Sequence, residues 1–220
     1  MRIRTHLIAA TVLAAGLTTP ATAQTGRDFW QNKWFWGAQA GAYLFTIDDG
    51  QAESQTKLWA SAGGQWFITA GRSALELSFD LAFGETATRT FPNGLQAEFS
   101  SMERYQAVLY AFPSFANLNI ILGGGFAIHN VSSATPLGSF ATPQSLAIAQ
   151  DQIDDASTKA FFLASGGLQY RLTGRWVIFG EYQFIRGTDT FIITSTQHSL
   201  QGGIRFALVG ATEEVGTTSR

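Results

Sequence analysis

From Trp34 onward, apolar side chains alternate with small or polar ones at a period of two residues, which is the pattern of half-buried β-strands. The segment from Ser199 to Leu208 shows this pattern clearly. One of its faces would carry Leu200, Ile204, Phe206 and Leu208. The opposite face would carry Ser199, Gln201, Gly203 and Arg205. Each predicted strand therefore has one apolar face and one polar face.

Eight such segments follow one another, at roughly 34–46, 57–68, 74–85, 98–111, 118–130, 158–171, 175–186 and 191–208. Short turns follow the second, fourth and sixth segments, at 70–72, 113–115 and 173–174. Longer polar connections follow the first, third and fifth, the longest at about 131–157, whereas the connection near 187–190 is short. This arrangement predicts an all-β fold, an eight-stranded antiparallel up-and-down transmembrane β-barrel with its longer loops outside the cell.

A weak internal repeat supports this topology. The octapeptides 61–68, 165–172 and 201–208 share the order polar, any, Gly, any, any, apolar, any, apolar, and each closes an even-numbered strand. Through Gln201, Gly203, Phe206 and Leu208, the last octapeptide resembles the C-terminal assembly signal of bacterial outer-membrane barrels. Residues 34–208 as a whole resemble the small eight-stranded barrels related to outer membrane proteins A and X, without a peptidoglycan-binding domain.

The resemblance implies a place in the bacterial outer membrane but little about activity. It implies outer-membrane lipids and the outer-membrane assembly machinery as partners, and we expect a monomer. One departure is that residues 209–220 continue past the assembly signal, where many relatives end.

The N-terminus has the features of an export signal. Residues 1–4 form a short region made basic by Arg2 and Arg4, residues 7–17 form an apolar stretch of eleven residues, and 21–23 are small. That stretch is too short to cross a bilayer as a helix. The predicted organisation is a cleaved signal peptide at 1–23, a periplasmic N-terminal segment at 24–33, an outer-membrane β-barrel at 34–208 and a short C-terminal tail at 209–220.

Composition excludes several classes of protein. There are no cysteines, so neither disulfides nor thiolate metal sites can form. The net charge of -2 leaves no basic surface for nucleic acid. The alternative to a membrane barrel is a soluble secreted barrel or sandwich. It is disfavoured because the chain is only 14% charged, too few for a solvated exterior.

Aromatic residues also cluster at the predicted periplasmic strand ends, as in the interfacial girdles of membrane barrels. The members of this cluster are Trp34, Trp36, Trp66, Tyr110, Phe112, Tyr170, Trp176 and Phe206.

The polar faces predict a filled lumen, because eight strands enclose a space just wide enough for side chains. The inward set would be Gln39, Gln65, Glu76, Asp80, Gln169, Glu181, Gln183, Gln201 and Arg205. Arg104 should join this set, since an arginine facing lipid near the midplane costs about 2 to 4 kcal/mol. There it could meet Asp80 and Glu181. We predict a structural lumen network of Asp80, Arg104, Glu181, Glu76 and Arg205, with an ion path as the alternative.

The function expected from this interpretation is structural. The chain would support envelope integrity or surface interaction through its external loops, which could contact a surface partner. The alternative is a narrow pore or conduit for small solutes or apolar molecules. It is suggested by apolar residues on inward faces, namely Trp59, Phe67, Phe161, Leu163 and Phe179.

A lipid A-modifying enzyme is a third hypothesis, because such barrels use a hydroxyl nucleophile and a histidine base. His129 has its nearest serine three residues away at Ser132, and His198 and Ser199 point to opposite faces. We therefore predict no catalytic residues and expect His129 at the barrel rim.

The predicted external loops are acidic, and a solvated surface is their expected role. Their carboxylates are Asp48, Asp49, Glu53, Glu85, Glu98, Asp151, Asp154, Asp155 and Asp189. The segment 151–155 lacks the glycine and the final glutamate of a calcium loop. No metal or cofactor is expected.

Overall fold

The computed structural model describes residues 30–47, 54–112 and 116–208. The predicted signal peptide, most of the N-terminal segment, the loop carboxylates Asp48, Asp49 and Glu53, the turn at 113–115 and the tail at 209–220 lie outside the described residues. No helix in the described ranges is long and apolar enough to cross a membrane.

The described chain is mostly β-strand. Its elements are β1 (Trp34–Ile47), β2 (Gln55–Ala70), β3 (Ser73–Thr90), β4 (Gln96–Ala111), β5 (Leu118–Asn130), β6 (Thr135–Leu137), α1 (Pro143–Ser157), β7 (Thr158–Arg171), β8 (Trp176–Ile185) and β9 (Gln197–Leu208). All strands except β6 form the barrel wall, and β1 pairs with both β2 and β9 to close it. The predicted eight-stranded antiparallel barrel is confirmed. We call the end with short connections the turn end and the opposite end the loop end.

The strands are staggered as they pass round the barrel. Trp34 pairs with Ile68, and following paired residues through all eight strands returns to β1 at Leu44, ten residues along the chain. Such a stagger requires strands that tilt by roughly 40° from the barrel axis. Side chains that meet in the lumen therefore come from distant parts of the sequence.

The barrel is apolar outside and polar inside. Phe162 and Leu58 on the outer face are 77% and 67% exposed, whereas Asp80 and Arg104 on the inner face are fully buried. This is the reverse of a soluble barrel and matches a wall that faces lipid.

An outer row of aromatic rings lies at the turn end. Trp66, Trp36, Phe206 and Trp176 are in register across β2, β1, β9 and β8. Two members of the predicted girdle are placed differently, because Tyr110 and Phe112 point into the barrel and are 2% exposed.

The last strand begins later than predicted. Phe191, Ile192 and Ile193 were expected to open it, but β9 starts at Gln197 and the fourth external loop spans 186–196. All three side chains are buried. In a strand of the barrel wall, consecutive side chains point alternately into the lumen and to the outside, so three in a row could not all be buried. The loop is therefore longer than expected, and its apolar run folds into the barrel mouth.

The longest loop is ordered into regular structure. β6 extends the sheet beside β4 through the pairs Gln96–Leu137 and Glu98–Thr135. α1 begins with a capping box between Thr142 and Ser145, and it buries the stripe Ala149, Ile153 and Ser157.

Hydrogen bonds join these external pieces to one another. Asn93 in the β3–β4 hairpin donates to Gln152 of α1 at 3.0 Å, and the Ile192 amide donates to the Ala156 carbonyl at 2.9 Å. We call residues 84–100, 131–157 and 186–196 together the cap. The sequence pattern predicts polar loops for most of the cap and the start of the last strand at 191, but neither β6 nor α1.

Candidate functional site

The middle of the lumen holds two arginine-centred clusters. In the first, the Arg104 guanidinium lies 3.9 Å from Asp80, its register partner on β3. Arg104 also donates to Gln183 at 2.8 Å and to Ser199 at 3.4 Å, and it lies 4.7 Å from the centre of the Tyr43 ring. The charge therefore has polar partners on three other strands.

Amide side chains complete the first cluster around Asp80. Gln39 and Gln201 donate to its two carboxylate oxygens at 2.6 and 3.1 Å. Gln65 in turn donates to Gln39 at 2.7 Å and accepts from Arg205, so this chain of amides joins the two clusters.

The second cluster surrounds Arg205 on β9. Its guanidinium pairs with Glu76 at 2.8 Å and donates to Gln65 at 2.7 Å and to Gln169 at 3.1 Å. Phe67 and Phe179 lie on it, with ring centres 3.9 and 4.0 Å away. Cation–π contact and ionic hydrogen bonds together hold a charge that is fully buried.

Glu181 departs from the predicted network. It was expected to meet Arg104, but it accepts hydrogen bonds from Tyr110 at 2.9 Å and from Gln183 at 2.7 Å. Gln183 stands between the two, since its oxygen accepts from Arg104 while its amide nitrogen donates to Glu181. Within the described ranges no basic nitrogen lies within 4 Å of the Glu181 carboxylate.

Gly63 makes room for the first cluster. It pairs with Asp80 in register, and a Cβ at this position would collide with the Asp80 carboxylate and the Phe79 carbonyl oxygen. A buried carboxylate can therefore lie against the β2 backbone only because this position carries no side chain.

Aromatic side chains close the turn end. Trp30 is 1% exposed, with its ring 5.9 Å from Phe35 and 6.4 Å from Phe112. It belongs to the segment 24–33 that the sequence analysis placed in the periplasm. The adjacent Phe29 and Trp30, in an otherwise polar approach to the first strand, were the available indication of this packing.

The loop end is closed by a second aromatic layer. Trp59 packs edge-on against Phe45 and Phe99 at 4.9 and 5.7 Å, and its indole nitrogen donates to the Glu85 carbonyl at 2.9 Å. Phe191, from the loop 186–196, packs against Phe161 at 5.2 Å.

His129 lies within this layer and not at the rim. It is fully buried, and its ring centre is 5.0 Å from Phe161 and 6.0 Å from Tyr43. The Tyr43 hydroxyl is directed to Gln197. Ser132 is exposed in the cap, so it does not form a nucleophile–base pair with His129.

His198 is on the opposite side of the wall. It faces outward, whereas Ser199 is 2% exposed and faces the lumen, as their spacing predicted. A hydrogen bond of 2.5 Å joins its Nδ1 to the Tyr182 hydroxyl. The sequence analysis missed this pair, because Tyr182 and His198 are diagonal neighbours whose proximity depends on the β8–β9 register.

The five residues behind the conduit hypothesis are all at most 6% exposed: Trp59, Phe67, Phe161, Leu163 and Phe179. Phe67 and Phe179 clamp Arg205, and Trp59 and Phe161 belong to the aromatic layer. Among the described side chains, no group of three or more His, Asp or Glu is placed to hold a metal ion.

Sequence comparison gives no relatives: no protein-family model and no curated protein matches the chain. Solved structures do match. Neisserial surface protein A is 13% identical with a TM-score of 0.50, and the match covers 79% of this chain and 96% of that one. Ail, the attachment invasion locus protein of Yersinia pestis, is 11% identical with a TM-score of 0.41 over 81% of this chain and 99% of that one.

At this identity the likeness to Neisserial surface protein A concerns the fold. It agrees with the closed eight-stranded sheet of this chain. On these grounds the chain has the fold of a small eight-stranded antiparallel β-barrel, similar to that of Neisserial surface protein A.

Proposed function

We propose that this barrel is a closed anchor that supports envelope integrity or surface interaction through its external cap. The observation that carries the proposal is the filling of the lumen at every level. An aromatic layer lies at each end, and two buried arginine clusters lie between them.

Separating the charged groups of either arginine cluster requires a large free energy. Removing one partner of a buried ion pair costs about 3–5 kcal/mol, because the other charge is left uncompensated. Arg104 and Arg205 each have several hydrogen-bond partners from separate strands, so no single rotamer change frees a path. A closed resting state is therefore the favoured one.

The cap offers a fixed surface outside the membrane. Its hairpin, helix and final loop are hydrogen-bonded to one another and bury Ile153, Phe191 and Ile192. Exposed carboxylates line it at Glu85, Asp151, Asp154, Asp155 and Asp189. This surface suits a partner that carries positive charge.

The remaining partners follow from the barrel itself. Outer-membrane lipids would cover the apolar wall, and the assembly machinery would act on β9 through Gln201, Gly203, Phe206 and Leu208. We also propose a monomer with no nucleic-acid partner. The lumen network of Asp80, Arg104, Glu181, Glu76 and Arg205 would serve as the seal.

Ion conductance in planar bilayers tests the closed state. We expect the refolded wild-type barrel to be silent and Arg104→Ala to conduct, because the substitution removes the side chain that ties Asp80 to Gln183 and Ser199. The matched control is Arg186→Ala, which removes an exposed arginine at the loop end and should stay silent.

Discrete channels in the wild type would overturn the proposal and make transport of small solutes or apolar molecules the function. Nothing in the geometry favours the lipid A-modifying enzyme. Among the described residues, the hydroxyl that meets a histidine ring belongs to Tyr182, a phenol on the lipid-facing wall.

A further inference from the structure

The buried charges of the lumen do not balance. Three carboxyl groups, on Glu76, Asp80 and Glu181, share the interior with two guanidinium groups, on Arg104 and Arg205, and all five side chains are at most 1% exposed. The other inward basic residues of the barrel strands are Lys57, Arg89, Lys159 and Arg171, and all four lie towards the two ends and are partly exposed. With these five groups ionised and His129 neutral among the rings of Tyr43, Phe161 and Phe191, the interior has one negative charge too many.

The excess belongs to the Arg205 cluster. Asp80 and Arg104 form one carboxylate–guanidinium pair. Arg205 is the cation that acts on both Glu76 and Glu181, but its ion pair is with Glu76 alone. Glu76 and Glu181 also repel each other, and Asp80 adds to the negative field at both. Two carboxylates therefore depend on one guanidinium.

Two buried side-chain oxygen atoms of the lumen, one on Glu76 and one on Gln201, have no hydrogen-bond partner among the described residues. Glu76 Oε1 is buried with no donor at hydrogen-bond distance among the described residues, and the nearby Ser78 hydroxyl acts on Glu76 without closing such a bond. Gln201 is the register neighbour of Glu181, and its buried Oε1 also has no partner there. A buried acceptor without a donor has lost its hydration with nothing in return, and the loss is greater when the acceptor is charged. Both the surplus charge and the free oxygens favour a bound cation.

We propose that the Glu76–Glu181 pair holds one additional univalent cation in the folded barrel, either a proton or an alkali metal ion. A proton would reside on one of the two carboxyl groups, whereas an alkali ion would be bound by carboxylate oxygens together with Gln201 Oε1. Tyr110 and Gln183, which donate to Glu181, hold that carboxylate in place. The inference goes beyond the proposed function and does not depend on it, because a conducting barrel would have the same charge surplus.

Urea unfolding of the refolded chain in detergent micelles tests the proposal and separates the two cations. The midpoint is measured from pH 6 to pH 8 in choline chloride, whose cation is too large to enter, and again with sodium or potassium chloride at equal ionic strength. A bound proton means that the folded state carries one more proton than the unfolded state. The folding equilibrium then weakens by up to about tenfold per pH unit as pH rises. A bound alkali ion raises the midpoint when choline is replaced at fixed pH.

The variants Glu181→Gln and Glu76→Gln each leave one carboxylate for one arginine. In both variants, the urea midpoint should no longer depend on pH or on alkali ions as it does in the wild type. At pH 8 their midpoints should equal or exceed that of the wild type. Asp155→Asn, an exposed substitution on α1, is the matched control and should behave as the wild type. Using two variants keeps the test valid if one of them fails to refold. The proposal is overturned if the wild-type midpoint responds to pH and to alkali ions no more than the midpoints of the two variants do. It is equally overturned if the variants keep the wild-type response.

Discussion

Single residues on the inner wall are constrained by what stands opposite them. Gly63 and Gly64 are neighbours in β2 with opposite orientations, and only Gly63 faces the lumen, against Asp80. A Cβ at Gly63 would lie 2.8 Å from Asp80 Cα and would collide with the carboxylate as well. A Cβ at Gly64 would meet nothing closer than the Gly37 carbonyl oxygen at 3.6 Å.

We expect Gly63→Ala to destabilise the barrel by about 1–3 kcal/mol, the range found for overpacked interiors, and Gly64→Ala to be neutral within about 0.5 kcal/mol. The urea midpoints of the two refolded variants measure the difference. Equal midpoints would mean that Asp80 does not lie against β2 as described.

The polar inner face was predictable residue by residue, because the cost of an arginine in lipid fixed the orientation of Arg104 and with it the parity of β4. The hydrogen-bond partners within the lumen were harder to predict from the sequence. Gln183 lies between Arg104 and Glu181 and binds both side chains. This placement depends on side-chain length and on the ten-residue stagger of the barrel, which no local sequence pattern contains. Trp30 and His129 were placed too far outward for the same reason.

At the scale of elements, the loop 186–196 acts as a stopper for the loop end. Phe191 packs on Phe161 and lies 6.1 Å from His129, and Ile192 and Ile193 are fully buried beside it. The run of three apolar residues resembled the start of a strand. Its burial shows that a short apolar run can close a cavity as readily as it can extend a sheet.

Truncating this stopper should loosen the loop without unfolding the wall. We expect Phe191→Ala to raise the rate of trypsin cleavage after the exposed Arg186 several-fold, because a buried phenylalanine contributes about 3–5 kcal/mol of packing. The control is Asp189→Ala, an exposed position in the same loop. Equal cleavage rates in the two variants would argue that Phe191 does not hold the loop down.

Strand number, order and most boundaries followed from the period-two pattern, since each wall strand has one face in lipid and one in the lumen. The cap did not follow from it. α1 is held by a capping box and a three-residue buried stripe, and β6 has only three residues, so neither carries a pattern long enough to recognise.

At the scale of the whole molecule, the exterior is matched to a bilayer. Phe79 lies near the middle of the β3 wall, faces outward and packs against Tyr105 at 5.1 Å. Ser73 begins the same strand at the turn end and is exposed.

We expect Phe79→Arg to destabilise the barrel in thin bilayers by about 2–4 kcal/mol and Ser73→Arg by about 0–1 kcal/mol, because the cost of arginine falls towards the membrane surface. Reversible unfolding from lipid vesicles measures both. Similar costs at the two depths would contradict a membrane-spanning wall.

The position of Arg205 on the final strand has a consequence for the order of assembly. Arg205 and Glu76 are 129 residues apart, and the other Arg205 hydrogen bonds reach β2 and β7. In the described part of the chain, until β9 meets β1, Arg104 is the single buried guanidinium among three carboxyl groups, and Glu76 has no ion-pair partner, so we expect water to remain inside the unfinished barrel. Because β9 carries Arg205, we expect closure of the wall and release of water from the lumen to occur in one concerted step.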